Sequence, residues 1–384
     1  MHIPLKKIVL SDDRGTALEE LRYGIDAALS GGVAIAPVSG ANADVSLPDS
    51  VSDDIAVVIT TSGSTGRPKK TMLSRNSLRA SAAGVRRALG GPGGWLLTLP
   101  PSYVAGFQVV ARSVLFDSPV VCLDGSAGFT TGEFVDASRK LHASRRYVSV
   151  VPTQLRRMVA DPAARDELSR FDAVLVGGAR LDPATADQAR PVATIRTTYG
   201  MTETCGGCVY DGIALDGVRM RIVGGEVHLG GPVLADGYLD DDRLTAAAFY
   251  EDSSGRWYRT ADRGRFENGR LEIEGRLDDV INTGGVKVPP RAVDECIESC
   301  SGVEESLTFG IPDDEWGEAV VSYVCARPGS ALDAERLRGV VRERLDRYSA
   351  PRSVLVSDDP PRLPNGKLDR MRIHEFFVRR KERC

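Results

Sequence analysis

The apolar run Ile55 to Thr60 (IAVVIT) passes directly into Thr61-Ser62-Gly63-Ser64-Thr65-Gly66-Arg67-Pro68-Lys69-Lys70. A run so short and so apolar reads as a strand covered on both faces. Thr60 to Gly66 places five hydroxyls and two glycines in seven positions. Such a segment offers many donors on a backbone that can approach an anion closely, and the two lysines add positive charge. A triphosphate needs that combination. The loop does not end in Gly-Lys-Ser/Thr, so it is not a Walker A loop. A flexible surface turn has a similar composition, and the segment alone does not separate the two readings.

Around this loop the chain alternates strands with helices. Ser74 is placed to cap a helix through Leu78, Ala82 and Val85. Val148 to Val151 reads as a strand followed by a helix from Thr153, and Val174 to Val176 as a strand ending at Gly177-Gly178. This order predicts an α/β body with mostly parallel sheets. After about Gly230 the pieces shorten, with turns at Asp236-Gly237, Ser254-Gly255 and Asn268-Gly269, which predicts a small, β-barrel-like part. Arg270 to Glu274 alternates like a strand. Pro289 and Pro290 open a helix with Val293, Ile297 and Cys300 on one face. Ala319 to Ala326 reads as a strand. Asp333 caps a helix whose Leu337, Val340, Val341 and Leu345 form an apolar stripe. Pro360, Pro361, Pro364, Asn365 and Gly366 mark a loop. The boundary is expected near residue 277: a body over 1–277 and a small α+β cap over 278–384.

Composition removes several functions. Lys plus Arg is 49 against 53 Asp plus Glu, a net charge of −4, and aromatics are 6%. Neither suits a general nucleic-acid binder. The longest uncharged run, Ala88 to Ala111, carries five glycines and three prolines, so no membrane span is expected there. The first residues lack the apolar stretch of a signal peptide, and a cytoplasmic location is the expectation. The seven cysteines are scattered. Cys205-x-x-Cys208 and Cys296-x-x-x-Cys300 have no nearby His, so they read as small buried residues rather than a zinc site. His2, His142, His228 and His374 show no metal spacing. Neither Gly-x-Ser-x-Gly nor Gly-x-Gly-x-x-Gly occurs.

Three further clusters carry chemistry. Thr197 to Thr204 (TTYGMTET) offers a flat ring in Tyr199, a hydroxyl in Thr202 and, in Glu203, a hard oxygen ligand for Mg²⁺. Tyr258 to Asp262 (YRTAD) ends in a carboxylate able to accept two ribose hydroxyls. Lys367 stands in a Pro-Asn-Gly-Lys loop, where a solvated lysine is the ordinary reading.

Taken in order, TSGSTGRPKK, YGMTE, YRTAD, GRLDDVINTGGVKVPP and PNGKLDR resemble the motifs of the adenylate-forming superfamily of acyl-CoA synthetases, firefly luciferase and peptide-synthetase adenylation domains. The resemblance runs from about residue 55 to 375. LPPSYVAGFQ, SVVPTQLRRM and VLVGGARLD are most similar to the o-succinylbenzoate–CoA ligases of menaquinone biosynthesis. The loop begins already at Thr61, so much of the family's usual N-terminal region is missing. A partner subunit would then cover exposed surface, and a homodimer is the assembly expected. Tyr103 stands where many relatives carry another aromatic or a His as a gate.

The resemblance implies an acid–thiol ligase that uses ATP, Mg²⁺ and coenzyme A on a small carboxylic acid, through an acyl-adenylate. The alternatives are another aromatic or aliphatic acid, or loading of a separate carrier protein. It assigns Lys367 to bridge the acid and the α-phosphate, Thr202 to touch that phosphate and Glu203 to hold Mg²⁺. Thr61, Ser62, Gly63, Ser64, Thr65, Gly66 and Lys69 would hold pyrophosphate. Tyr199, within Thr198, Gly200 and Met201, would stack on adenine opposite Gly177, Gly178 and Ala179, while Asp262 and Arg276 take the ribose. Asp278 matches the hinge, and Gly284, Gly285 and Lys287 line the path of coenzyme A. Tyr103, Thr153, Gln154 and Gly206 fall in the acid pocket. Arg112, nine residues after Tyr103, is the candidate for a second carboxylate; an ordinary helix arginine is the competing reading.

Overall fold

The computed structural model describes residues 1–11, 13–40, 43–61, 69–123, 128–327, 329–363 and 366–381. Its contacts divide the chain into two units. The first holds Met1–Arg221, His228–Thr260 and Glu267–Leu271, and the second holds the intervening short stretches and everything from Glu272 onward.

Two sheets build the first unit. One is six-stranded, in the order Gly237–Tyr238, Lys69–Ser74, Ile55–Thr61, Ala34–Val38, His2–Val9, Ser50–Ser52. Its centre is parallel and its margins antiparallel. Residues 1–52, for which no elements were read from the sequence, supply three of these strands and the helix Arg14–Leu29. Asp13 caps that helix by accepting from the Thr16 N–H. Ile55 to Ile59 are at most 2% exposed, as a strand covered on both faces requires. The expected strand–loop–helix order needs one correction. The strand Lys69–Ser74 lies between loop and helix, pairing Thr61 with Lys69 in antiparallel register. Its Thr71 and Leu73 are buried at a spacing of two, a signal too short to stand out beside the loop. Ser74 then caps the helix Arg75–Ala88 as expected.

The other sheet has seven strands, ordered Ile213–Ala214, Gly206–Tyr210, Ile195–Met201, Ala173–Val176, Arg146–Val150, Gly94–Leu97, Val120–Cys122. The five from Ile195–Met201 to Val120–Cys122 are mutually parallel, and the two at the other edge run antiparallel. Leu96, Phe134, Val148, Leu155 and Val174 form its core. Parallel character therefore dominates this sheet, whereas the first is mixed.

Where the small, barrel-like β part is expected, a third sheet joins Arg219–Val223, Glu226–Gly230, Gly255–Glu267 and Phe249–Asp252, with Arg270–Arg276 also paired to Gly255–Glu267. In the second unit, Val286–Val288, Ile281–Thr283, Gly317–Ala326 and Val303–Asp313 form a sheet, with Ser353–Ser357 parallel to Gly317–Ala326. The helices Pro290–Glu298, Ala334–Arg344 and Arg370–Lys381 belong to this unit. Val293, Ile297, Leu337 and Val341 are buried in its core. The predicted stripes overrun their helices by a residue or two: Cys300 lies past the end of its helix, though it still packs on this core, and Leu345 is 40% exposed just past the other. Among the described residues no helix is long and apolar enough to cross a membrane.

Candidate active site

Ligands of open α/β sheets gather at the carboxyl ends of parallel strands. In the seven-stranded sheet those ends carry many of the residues predicted above. Val150 leads to Thr153 and Gln154, Val176 leads to Gly177, Gly178 and Ala179, and the strand Ile195–Met201 carries Thr198 to Met201 into a short turn at Thr202–Thr204. Gly177 has a local reason: a Cβ there would stand 2.3 Å from Thr198 Oγ1. At Gly200 a Cβ would meet the Gly206 carbonyl oxygen at 2.1 Å. These glycines let neighbouring strand ends close up.

The turn at Thr202–Thr204 is held by Thr204, whose hydroxyl accepts from the Met201 N–H at 3.0 Å and donates to the Gly206 carbonyl at 2.9 Å. Cys205 leaves it with a left-handed φ of 53°. Glu203 is 8% exposed. Its carbonyl accepts from the Ala235 N–H, and its Oε1 accepts from the Tyr238 hydroxyl at 2.7 Å. The other carboxylate oxygen accepts from no described residue. Burial, and then the neighbouring Glu203 charge, raise the Tyr238 pKa, so the phenol remains a donor. Lys69 Nζ lies 5.5 Å from the centre of the Tyr238 ring. The predicted phosphate-loop residues Ser62, Gly63, Ser64, Thr65 and Gly66 lie outside the described residues.

Tyr103 precedes the helix Val104–Leu115 at its N-cap position, and burial raises its phenol's pKa. The helix starts close to the preceding loop because Gly106 has no side chain: a Cβ would be 2.4 Å from the Pro100 carbonyl oxygen. Arg112, on the same helix, is 4% exposed. Its guanidinium sits 5.2 Å from the centre of the Trp95 ring. Its Nε lacks a hydrogen-bond partner, and no carboxylate among the described residues pairs with it. Desolvation lowers its pKa, but an arginine stays protonated. The helix-surface reading is thereby excluded. Gln154 is differently occupied. Its Oε1 accepts from the Val151 N–H and its Nε2 donates to the Thr98 carbonyl, so its amide is spent on backbone. Burial pushes the Cys205 and Cys208 thiols up to about 12, as apolar packing residues require.

In the second unit, Arg276 forks onto Asp278 with two bonds of 2.8 Å and lies 3.4 Å from Asp262. This holds the Asp278 carboxyl below its usual range. Gly284 and Gly285, at φ 58° and 80°, form the two-residue turn between Ile281–Thr283 and Val286–Val288, a turn that needs positive φ twice. A Cβ on Gly284 would strike the Trp316 ring at 2.4 Å. Lys287 is exposed. A cavity of about 550 Å³ opens beside this turn, lined by Trp316, Tyr348, Arg338, Arg342, Arg347 and Arg352. Arg352 stacks on Trp316 and Arg347 on Tyr348. The buried Trp316 Nε1 has no partner. Lys367 is exposed, and the protein mass around it depresses its ammonium pKa by desolvation.

Residues 6–239 match the AMP-binding enzyme family, and residues 292–367 match the AMP-binding enzyme C-terminal domain. The chain belongs to the AMP-binding enzyme family. It is an acid–thiol ligase of the adenylate-forming kind. A probable 2-succinylbenzoate–CoA ligase from Mycobacterium tuberculosis strain H37Rv is 42% identical over 336 residues, 86% of either chain. A sulfoacetate–CoA ligase from Cupriavidus necator is 29% identical over 353 residues, 85% of this chain and 68% of its own. The fold matches that of o-succinylbenzoate CoA synthetase (MenE) from Bacillus subtilis in complex with its acyl-adenylate intermediate. The TM-score is 0.72 at 21% identity, covering 96% of this chain and 82% of the other.

Three structural features of this AMP-binding enzyme escaped the sequence reading. Tyr238 was not singled out, although it follows the turn at Asp236-Gly237, because its partner Glu203 is 35 positions away. The arginine–aromatic cavity draws on residues from 283 to 352. Its nearest sequence signal is the density of arginines in Arg336 to Arg347. Gln108 closes the LPPSYVAGFQ segment but was given no role of its own. The donor set also fits the metal that the family implies. Among the described residues no three His, Cys, Asp or Glu side chains cluster. Glu203 thus offers a single carboxylate oxygen, which suits Mg²⁺ because that ion binds through one or two carboxylates plus substrate phosphates.

Proposed function

We propose that this enzyme joins 2-succinylbenzoate to coenzyme A at the expense of ATP, in the cytoplasm, as a step of menaquinone biosynthesis. Arg112 carries the reading. A buried guanidinium without a carboxylate costs free energy unless a ligand supplies the anion. An acid that keeps a second carboxylate after the first is activated supplies it. The 42% identity over 86% of the chain to a probable 2-succinylbenzoate–CoA ligase supports the same choice.

The first half-reaction makes a poor acylating agent into a good one. One carboxylate oxygen of the acid attacks the α-phosphate of ATP, pyrophosphate leaves, and an acyl-adenylate forms. Attack brings anions together, so catalysis consists of alignment and charge neutralisation. Lys367 places its ammonium between acid oxygen and α-phosphate. Thr202 donates to that phosphate, and the loop from Thr61 to Lys69 holds the departing pyrophosphate. Mg²⁺, when bound to Glu203, supplies charge neutralisation at the phosphates. Tyr199 packs on the adenine with Gly177, Gly178 and Ala179 opposite, and Asp262 accepts the ribose hydroxyls with Arg276 beside it. Tyr103 and Thr153 border the acid.

In the second half-reaction the thiol of coenzyme A attacks the acyl carbon and AMP leaves. The reading needs the cap to turn at Asp278 between the two steps. Gly284, Gly285 and Lys287 then flank the pantetheine arm. The arginine–aromatic cavity suits the arm's phosphorylated adenosine, since guanidinium groups take phosphates and the rings take a purine.

Pyrophosphate release with a panel of acids and coenzyme A tests the assignment. 2-Succinylbenzoate should exceed benzoate, succinate, sulfoacetate and fatty acids by at least about a hundredfold in kcat/KM, and Arg112→Leu should remove about two orders of that preference through KM. Equal turnover of simple benzoates or fatty acids would end it. Sedimentation velocity tests the homodimer that belongs to the same reading.

A further inference from the structure

One turn before Arg112, on the same helix face, lies Gln108. It is 1% exposed, and neither its Oε1 nor its Nε2 has a hydrogen-bond partner. Native interiors seldom leave an amide empty at both ends, because the lost hydration is not replaced. Gln154 shows the contrast within this chain, for it is also buried yet bonded at both ends. The residue across from Gln108 is a glycine: a Cβ on Gly206 would come into ordinary contact, 3.6 Å from Gln108 Cγ and 3.8 Å from Val104 Cγ2. Gly206 adopts φ 87° directly after Glu203, Thr204 and Cys205, so Gln108 packs beside the turn that carries Glu203. The Arg112 Nε is orphaned on the same helix. Two unsatisfied buried polar groups, a turn apart and beside a bare glycine, call for one ligand with two polar features.

We propose that Gln108 is a specificity residue that reads a carbonyl oxygen in the middle of the acid, while Arg112 reads its far carboxylate. The inference rests on the reading of this region as the acid pocket. The amide Nε2 donates to a ketone oxygen. Positions four apart on a helix are about 5–6 Å apart at Cβ, a spacing suited to a ketone and a carboxylate on adjacent ring carbons. A methylene at the ketone position leaves the buried amide unpaired, so the site discriminates against it.

The test compares 2-succinylbenzoate with 2-(3-carboxypropyl)benzoate, in which a methylene replaces the ketone. Wild-type enzyme should favour the ketone by about tenfold or more in kcat/KM. Gln108→Met, of similar volume, should raise the KM for the keto acid about tenfold, leave the KM for ATP unchanged and abolish the ketone preference. Because the amide is unpaired without ligand, the same variant should raise the thermal midpoint of the ligand-free enzyme by a few degrees, about the shift expected for relieving one such group. Gln108→Glu gives an independent check: its carboxylate pairs with Arg112 and competes with the acid, so the acid KM rises further still. A Gln108→Met enzyme that keeps the wild-type ketone preference overturns the proposal, and so does a lowered thermal midpoint with an unchanged acid KM. If another acid proves to be the substrate, the assignment of 2-succinylbenzoate fails separately. Gln108 is then judged on that acid, where an unchanged KM in Gln108→Met refutes its role.

Discussion

Tyr238→Phe removes one hydroxyl and nothing else from the surroundings of Glu203. The lost bond is a 2.7 Å donation to a carboxylate, with Tyr238 2% exposed and Glu203 8%. Solvent therefore does not replace it. Hydrogen bonds to charged groups are worth about 1.5–3 kcal/mol, or roughly ten- to a hundredfold in a rate or binding constant. Part of this is lost as folding stability. The remainder is lost as orientation, because the carboxylate proposed to hold Mg²⁺ is no longer fixed by its other oxygen. Pyrophosphate exchange should fall about tenfold, with a matching rise in the Mg²⁺ concentration for half-maximal rate, and the thermal midpoint should drop by a few degrees. The two contributions separate in a double-mutant cycle with Glu203→Gln. If Tyr238 acts through the carboxylate, the phenylalanine costs little activity once Glu203 is already glutamine. Additive losses, or a Mg²⁺ dependence unchanged within twofold, would reduce Tyr238 to a packing residue and refute the reasoning.

Lys367→Ala should abolish acyl-adenylate formation yet retain thioester formation from supplied acyl-adenylate, measured by coupled chromatography; normal adenylation would show that the lysine is misplaced. Asp294 concerns stability rather than catalysis. Burial pushes its carboxyl up to about 6, against the Ser306 and Thr308 hydrogen bonds that favour the charged form. A carboxyl raised on folding stabilises the protein below its unfolded value near 3.8, and that contribution is lost as pH rises through about 6. Asp294→Asn should therefore raise the thermal midpoint at pH 7.5 relative to wild type and not at pH 4, and an equal effect at both would exclude the titration.

Several strands of the first two sheets were readable locally. Ile55 to Thr60, Val148 to Val151 and Val174 to Val176 are strands within a residue or two of their expected places. Ser74, Pro290 and Asp333 open helices as their chemistry demands. The strand Lys69–Ser74 was hidden because four of its six residues are charged or polar and its pairing partner lies across the loop. Gly284 and Gly285 were noticed as permissive of a close approach, but the ring that forbids a side chain at Gly284 belongs to Trp316, over thirty positions away.

Residue order alone settled the strand that leads into the hydroxyl-rich loop, the helix starts and the motif order that marks the family. Such signals arise from backbone preferences and side chains within a few residues of one another. Tertiary packing settled which polar groups are stranded in the interior. Among the described residues it set Tyr238 against Glu203, left Arg112 without a carboxylate partner and left Gln108 unpaired beside Gly206. Desolvation is a property of everything that surrounds a side chain, and those surroundings come from distant segments.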